Sequence, residues 1–328
     1  MDQRQLGALW PVSALTFGGG GIGQVWGKTT RKEAVATVRA AVEAGINLID
    51  VAPSYGDGES ERVIGEAFGG RLPDGVRIAT KCLLGNPPAA EVEAKVRAGL
   101  EQSLALLRLD RIDLFFMHSY IVPDGYTLPR EAGPAYPDIA TERSLYTDAW
   151  CPLMGKLVAE GLIGAWAISG IGVPNEILTA LAHDPAPAAV QVIANLLDSP
   201  GALRLYNEPP RPREIIAEAS ERGIGVLGIR AVQAGALTDA FDRELPEDHH
   251  ESVDFRRAEP FRALARELGE NPAILAHRYA LSMTRVDTVI LGVKNRAELE
   301  DGVVAAEAGA LDASVIGRID AAVSGTRD

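Results

Sequence analysis

The chain has 328 residues, of which 47% are apolar, enough for one large domain or two smaller ones with a sizeable core. Its 45 acidic against 32 basic residues give a formal charge of -13, which sets most of the surface against a phosphate backbone. Nucleic acid is therefore excluded as an expected partner, although one small anion can still find a local basic pocket. Two cysteines, Cys82 and Cys151, build neither a disulfide framework nor a paired CxxC zinc site. No apolar run reaches the roughly eighteen residues of a membrane span, and the opening MDQRQLGALWPV lacks a signal core. The expectation is a soluble, cytoplasmic protein.

Short apolar runs alternate with longer helical patterns. In chain order the strand runs are ALTFGG (14–19), INLIDV (46–51), VRIATK (76–81), IDLFFMH (112–118), IGAWAIS (163–169), AAVQVIA (188–194), IGVLGI (224–229) and DTVILG (287–292). Between them lie helical stretches such as TRKEAVATVRAAVEAG, where Ala34, Val38, Ala41 and Val42 share a face and Gly45 supplies the stop. The others are ESERVIGEAF, AEVEAKVRAGLEQSLALL, LMGKLVAEG, PNEILTALA, PREIIAEASERG, NPAILAHRYALSM and RAELEDGVVAAEA.

Eight such units in a chain of this length predict an α/β fold, a single (β/α)8 TIM barrel spanning residues 1–328, rather than an open doubly wound sheet. Residues 119–145, with Pro123, Pro129, Pro134 and Pro137, and residues 198–212, with Pro200, Pro209, Pro210 and Pro212, read as irregular loops. Both follow strand C-termini and would hang over the face where barrel active sites lie, either as tolerated insertions or as walls around a substrate. Residues 253–268 read as an additional helix.

Four titratable residues stand at three consecutive strand mouths. Asp50 ends the second run, and Tyr55 follows it in a turn before a helix whose cap is expected at Glu59 or Ser60; Lys81 ends the third and His118 the fourth. In a barrel these ends converge on one pocket. Taken singly, each has a bland explanation: a turn-capping Asp, a packing Tyr, a solvated Lys, a satisfied structural His. Together their chemistry is complementary. An ammonium beside a phenol stabilises the phenolate and lowers its pKa from about 10, which Lys81 can do for Tyr55. Asp50 would hold that ammonium, and His118 would orient a substrate oxygen beside the Tyr55 hydroxyl, an arrangement suited to protonating an oxygen as hydride reaches its carbon.

Through nearly its whole length the sequence resembles the aldo-keto reductase family. DVAPSYGDGESERVIGEAF is similar to the family's Asp-x-Ala-x-x-Tyr-Gly segment through Asp50 and Tyr55, and Lys81 in IATKC and His118 in DLFFMHSY match the family lysine and histidine. LVAEGLIGAWAISG resembles the segment that places Ser169 and the following Gly170 by the nicotinamide amide, and Gln191 in VQVIANLLD matches the glutamine that holds it. TVILGVKNRAELED resembles the adenosine-phosphate segment, with Gly292, Val293 and Lys294 in register. The resemblance implies reduction of an aldehyde or ketone to an alcohol, or the reverse, with NADPH. In it Tyr55 is the general acid, Lys81 tunes its pKa, Asp50 partners Lys81, and His118 orients the carbonyl.

Several positions depart from the pattern. Ala194 stands where an aromatic ring would stack on nicotinamide, and Gly170 replaces an asparagine. Ile229, Arg230, Ala231 and Val232 replace Tyr-Ser-Pro-Leu, making Arg230 a candidate for cofactor phosphate or an acidic substrate, with a surface salt bridge as its bland role. Glu298 and Gly302 replace a glutamine and an asparagine. Glu298 would repel a 2'-phosphate and suit NAD; Lys294 and Arg296 pull toward NADP, the nucleotide expected on balance.

Three rival readings bear on function. GGGGIG (18–23) satisfies the dinucleotide-binding GxGxxG pattern, but the next helical pattern begins only near Arg31, so the glycines read as a strand mouth that approaches a ligand. A Schiff-base aldolase would use Lys81 as nucleophile, and a non-catalytic barrel would bind the nucleotide as a sensor. No metal site is expected: His249 and His250 adjoin in an acidic, exposed loop, and no HExxH pattern occurs.

Overall fold

The eight runs become strands β1 (Leu15–Gly18), β2 (Leu48–Asp50), β3 (Arg77–Cys82), β4 (Ile112–Met117), β5 (Ile163–Ser169), β6 (Ala189–Ile193), β7 (Gly225–Ile229) and β8 (Thr288–Gly292). They pair in parallel, each with its sequence neighbour, and β8 closes on β1, giving the expected barrel. The structure, a computed structural model, describes residues 1–127, 129, 139–239, 241 and 244–325.

A parallel strand covered on both faces favours a nearly continuous apolar run, and this pattern made the strands readable. Alternation then sorts the side chains. Leu48, Ala79, Leu114, Phe116, Ala167, Ala189 and Leu227 fill the barrel interior, while Ile49, Ile78, Phe115, Ile168, Val190 and Val226 pack outward against the helices. Each fully buried Leu, Ile, Val or Phe contributes roughly 1.5–3 kcal/mol. A hairpin, Gln3–Gln5 with Pro11–Ser13, places Leu6 and Val12 in the interior cluster.

The helices are α1 (Arg31–Glu43), α2 (Glu59–Phe68), α3 (Val92–Leu107), α4 (Cys151–Ala159), α5 (Pro174–Ala182), α6 (Pro212–Glu221), α7 (Pro272–Ser282) and α8 (Arg296–Glu307). Proline in the first turn of α5, α6 and α7 presets the backbone where no intrahelical N–H bond is needed. The Asn295 side chain caps α8 by accepting from the Glu298 N–H. For α2 the cap is Gly58 rather than Glu59 or Ser60, because the chain turns there in the left-handed region, φ 79°.

Both expected loops carry more order than their proline content suggests. Tyr120–Val122 pairs in parallel with Ala140–Glu142, and a helical run from Arg143 leads through Trp150 into α4. Pro134 and Pro137 lie at positions outside the described residues. The second loop contains a short turn, Gly201–Leu203, and is stitched to the first: the Tyr120 hydroxyl donates to Leu203 O at 3.0 Å, and the Tyr126 hydroxyl to Glu208 at 2.8 Å. Tyr120, Val122, Ala140, Val173 and Tyr206 give the pair an apolar cluster of its own.

The single helix expected over 253–268 is two, His250–Arg257 and Glu259–Leu268, with Pro260 in the first turn of the second. His249 is not in a free loop: its ring accepts from the Glu251 N–H as the first helix's cap and lies 3.0 Å from the Glu251 carboxylate. A helix at Ala313–Val323, unread in the sequence, follows α8.

Candidate active site

Register brings the four chemical residues to one mouth. Asp50 pairs laterally with Gly18 on β1 and Ala79 on β3, Lys81 lies two residues further along β3 opposite Phe116, and His118 follows the last residue of β4. Alternation turns Asp50 and Lys81 inward, where they are 2% and 1% exposed. Lys81 Nζ donates to Asp50 Oδ2 at 2.6 Å and to Val51 O at 2.8 Å. Gln191, from the far side of the barrel, donates its amide to Asp50 Oδ1 at 2.8 Å.

Burial pushes the Asp50 carboxyl up, against Lys81 and Gln191. For Lys81 burial acts downward, but the charges of Asp50 and Tyr55 outweigh it and the ammonium is raised above its ordinary value. The pair therefore holds its proton on the lysine.

Tyr55 is half-buried at the end of the β2 turn, its ring centroid 4.8 Å from Lys81 Nζ and 5.8 Å from the His118 ring in an edge-on contact. The Lys81 charge draws the phenol down, as expected from the sequence. In the structure the net direction is up, because desolvation is the larger effect and the Lys81 charge only opposes it. Tyr55 thus keeps its proton through neutral pH. His118 is pushed down to about 3 by burial and by Lys81, so its imidazole is neutral and can donate to or accept from an oxygen.

Around this group lie the other candidates. Ser169 is 2% exposed at the β5 mouth, and among the described residues its Oγ has no hydrogen-bond partner. The Gly170 N–H donates to Gln191 O at 2.7 Å, and a β-carbon there would stand 2.7 Å from that oxygen, so glycine allows the close β5–β6 approach. Ala194 is reassigned. With Gln191 inward, position 194 points outward, and Ala194 packs in the outer core against Gly228, away from the cleft. Its small size removes no stacking surface.

Arg230 has φ 60° and is anchored, donating through Nε to Gln233 at 2.8 Å and through Nη2 to Glu251 at 2.7 Å. The buried side chains of Gln233, Asp254, Ser199 and Asn195 continue this network across the loops after β6 and β7. Sequence reasoning missed it, since its partners are up to 55 residues apart. At the β8 mouth the Lys294 N–H donates to Glu298 at 2.9 Å, and Lys294 Nζ lies 3.1 Å from the same carboxylate. Arg296 is likewise paired with Glu33, at 3.0 Å. A β-carbon on Gly302 would overlap the Leu291 side chain, which explains glycine at that point of α8.

Trp26 was also missed. Its ring lies over Gly20 and Gly292, 39% exposed, with Val25 and Leu83 as further exposed apolar side chains. A tryptophan between Gly23 and Gly27 was the available signal. Among the described residues no group of three or more His, Cys, Asp or Glu side chains could hold a metal ion, and no helix is long and apolar enough to cross a membrane.

The model of the aldo/keto reductase family matches residues 14–324. The chain belongs to the aldo/keto reductase family. It is thereby an oxidoreductase acting at alcohol and carbonyl groups, in a family that generally binds NAD(P)H. Among curated members it is similar to L-galactose dehydrogenase of Arabidopsis thaliana, 27% identical over 90% of this chain and 84% of that one. It is also similar to D-threo-aldose 1-dehydrogenase of a Pseudomonas species, 25% identical over 70% and 68% of the two chains. Among solved structures, the glycerol dehydrogenase of Gluconobacter oxydans has the same fold, with TM-score 0.71, 23% identity and 99% and 96% coverage. As an aldo/keto reductase the chain has its titratable cluster and the unpartnered Ser169 hydroxyl at one barrel mouth.

Proposed function

We propose that this aldo/keto reductase reduces an aldehyde or ketone, or oxidises the corresponding alcohol, with Tyr55 as the proton donor. The observation that carries the reading is the buried Lys81 ammonium, held 2.6 Å from Asp50 and 4.8 Å from the Tyr55 ring centroid. Its charge favours the phenolate that forms as Tyr55 gives its proton to the substrate oxygen. The neutral His118 orients that oxygen, and Asp50 keeps Lys81 charged and in place.

A bound nicotinamide nucleotide would supply the hydride. Ser169, Gly170 and Gln191 would hold its carboxamide, Arg230 would lie along its phosphates, and Gly292, Val293, Lys294 and Glu298 would hold its adenosine end. The unpartnered Ser169 hydroxyl supports that fit. Lys294 and Arg296 carried the expectation of NADP, yet each is paired with a carboxylate, so a 2'-phosphate meets no net positive charge there. That pairing favours NAD, whose ribose hydroxyl would donate to Glu298 beside the Lys294 ammonium.

The substrate is a small carbonyl or alcohol, and the exposed Val25, Trp26 and Leu83 favour an apolar portion beside its reacting group. A Schiff-base mechanism needs a neutral, reachable lysine, and Lys81 is buried and raised.

The test is to titrate the protein with NADH and NADPH by fluorescence, then follow nucleotide consumption with a panel of aldehydes and ketones. Binding with turnover is expected. Failure to bind either nucleotide would sink the reading, and binding without turnover on any carbonyl or alcohol would favour the sensor.

A further inference from the structure

Glu61 is a fully buried acid that the chemistry above does not use. It lies in the first turn of α2, on the face turned to the barrel, and its Oε1 accepts from the Thr80 hydroxyl at 2.6 Å. Thr80 precedes Lys81 on β3, so the two side chains point to opposite faces of one strand. The residue before Glu61 grips the other partner. The Ser60 hydroxyl donates to Ala52 O at 3.1 Å, and the Ser60 N–H to Tyr55 O at 3.2 Å. One helical turn therefore ties the loop that carries Tyr55 to the strand that carries Lys81.

We infer that Glu61 is a positioning residue that fixes Tyr55 against Lys81, and that it does so as the neutral acid. Glu61 Oε2 and the hydroxyl of its α3 neighbour Ser103 are buried beside each other, and among the described residues neither has another hydrogen-bond partner. The Ser103 hydroxyl can pair with that oxygen in either protonation state, but among the described residues no cation is paired with the fully buried carboxyl, Lys81 being held by Asp50, so the ionised form bears a desolvation cost that the neutral acid does not. The groups facing it are Thr80, Ser103, Lys81 and Arg62, and burial pushes its carboxyl above the usual range against all of them. An ionised Glu61 would also set a second negative charge behind Lys81 and weaken the field that favours the Tyr55 phenolate.

The inference rests on Tyr55 as proton donor, and the test separates the two. Glu61→Gln, Glu61→Ala and Thr80→Val are compared with the native enzyme for kcat, nucleotide KM and the pH profile of kcat. Glu61→Gln keeps an acceptor for Thr80 and a donor for Ser103, so its kcat and pH profile should stay within about twofold of native. It should also remove a protonated-carboxyl carbonyl band from the infrared spectrum. Glu61→Ala should lose about tenfold or more in kcat, with nucleotide KM unchanged and the Tyr55 limb moved to higher pH. Thr80→Val should move both in the same sense, and it stands in if Glu61→Ala does not fold. The inference is overturned if Glu61→Gln is as impaired as Glu61→Ala or Thr80→Val, if no carbonyl band is lost, or if the bond-breaking variants keep native kcat and pH profile. If Tyr55→Phe turns over normally, the proton-donor reading itself has failed, whatever Glu61 does.

Discussion

Replacing Lys81 with methionine keeps the apolar stem and removes only the ammonium. In the native protein that group donates to Asp50 at 2.6 Å and to Val51 O at 2.8 Å from a site that is 1% exposed. Lys81→Met leaves Asp50 buried with Gln191 as its hydrogen-bond donor, and breaking a buried ion pair in this way costs about 3–5 kcal/mol. The loss should depend on pH with a definite sign. Burial already pushes Asp50 up, and without Lys81 it rises further. A carboxyl whose folded pKa lies above its unfolded value contributes stability that is present below the unfolded pKa and lost as pH rises through the folded one. The destabilisation should therefore be smaller near pH ~5 than near pH ~8, with a slope of at most about 1.4 kcal/mol per pH unit. Urea unfolding at several pH values measures this directly. Turnover should fall by roughly 10²–10⁴, since Tyr55 loses the charge that opposes its desolvation. A variant as stable as native at every pH, with native turnover, would refute the assignment of the charge to this pair.

Other outcomes can be checked alongside. With His118 held down to about 3, the pH profile of kcat/KM should show no inflection near the ordinary imidazole value of 6.5; one that His118→Asn abolishes would contradict a neutral imidazole. The same lowering means that His118 takes up its proton in the unfolded chain first. Its contribution to stability is then lost as pH falls from about 6.5 toward 3, by up to about 1.4 kcal/mol per unit. Glu298→Gln frees Lys294 from its carboxylate and should tighten NADPH relative to NADH by an order of tenfold; unchanged relative affinities in a titration would show that the pair does not set nucleotide choice. Gly302→Asn drives a side chain into Leu291 and should cost about 1–3 kcal/mol by thermal melting, so a native Tm would mean that α8 shifts freely.

The barrel was legible because its strands are buried on both faces. INLIDV, IDLFFMH and AAVQVIA read as continuous apolar runs, and the polar residues that end them, Asp50, Lys81 and His118, mark the mouth directly. Less legible was whatever depends on which way a side chain faces or how deeply it sits. Ala194 aligned with a stacking aromatic, yet its position in β6 turns it outward. The net direction for Tyr55 is a contest between desolvation and one charge, and burial is a property of the assembled barrel. Ladders between short segments, such as Tyr120–Val122 with Ala140–Glu142, leave no periodic trace at that length. The anchoring of Arg230 was equally hidden, because Glu251, its partner, lies 21 residues away on a helix of its own.

Everything proposed for the chemistry turns on one proton. Tyr55→Phe keeps the ring, and with it the contacts to Lys81 and His118, and removes the hydroxyl alone. Nucleotide affinity should be unchanged while carbonyl reduction falls by roughly 10²–10⁴. A phenylalanine variant that binds nucleotide and reduces the same carbonyl at the native rate would show that the proton comes from elsewhere.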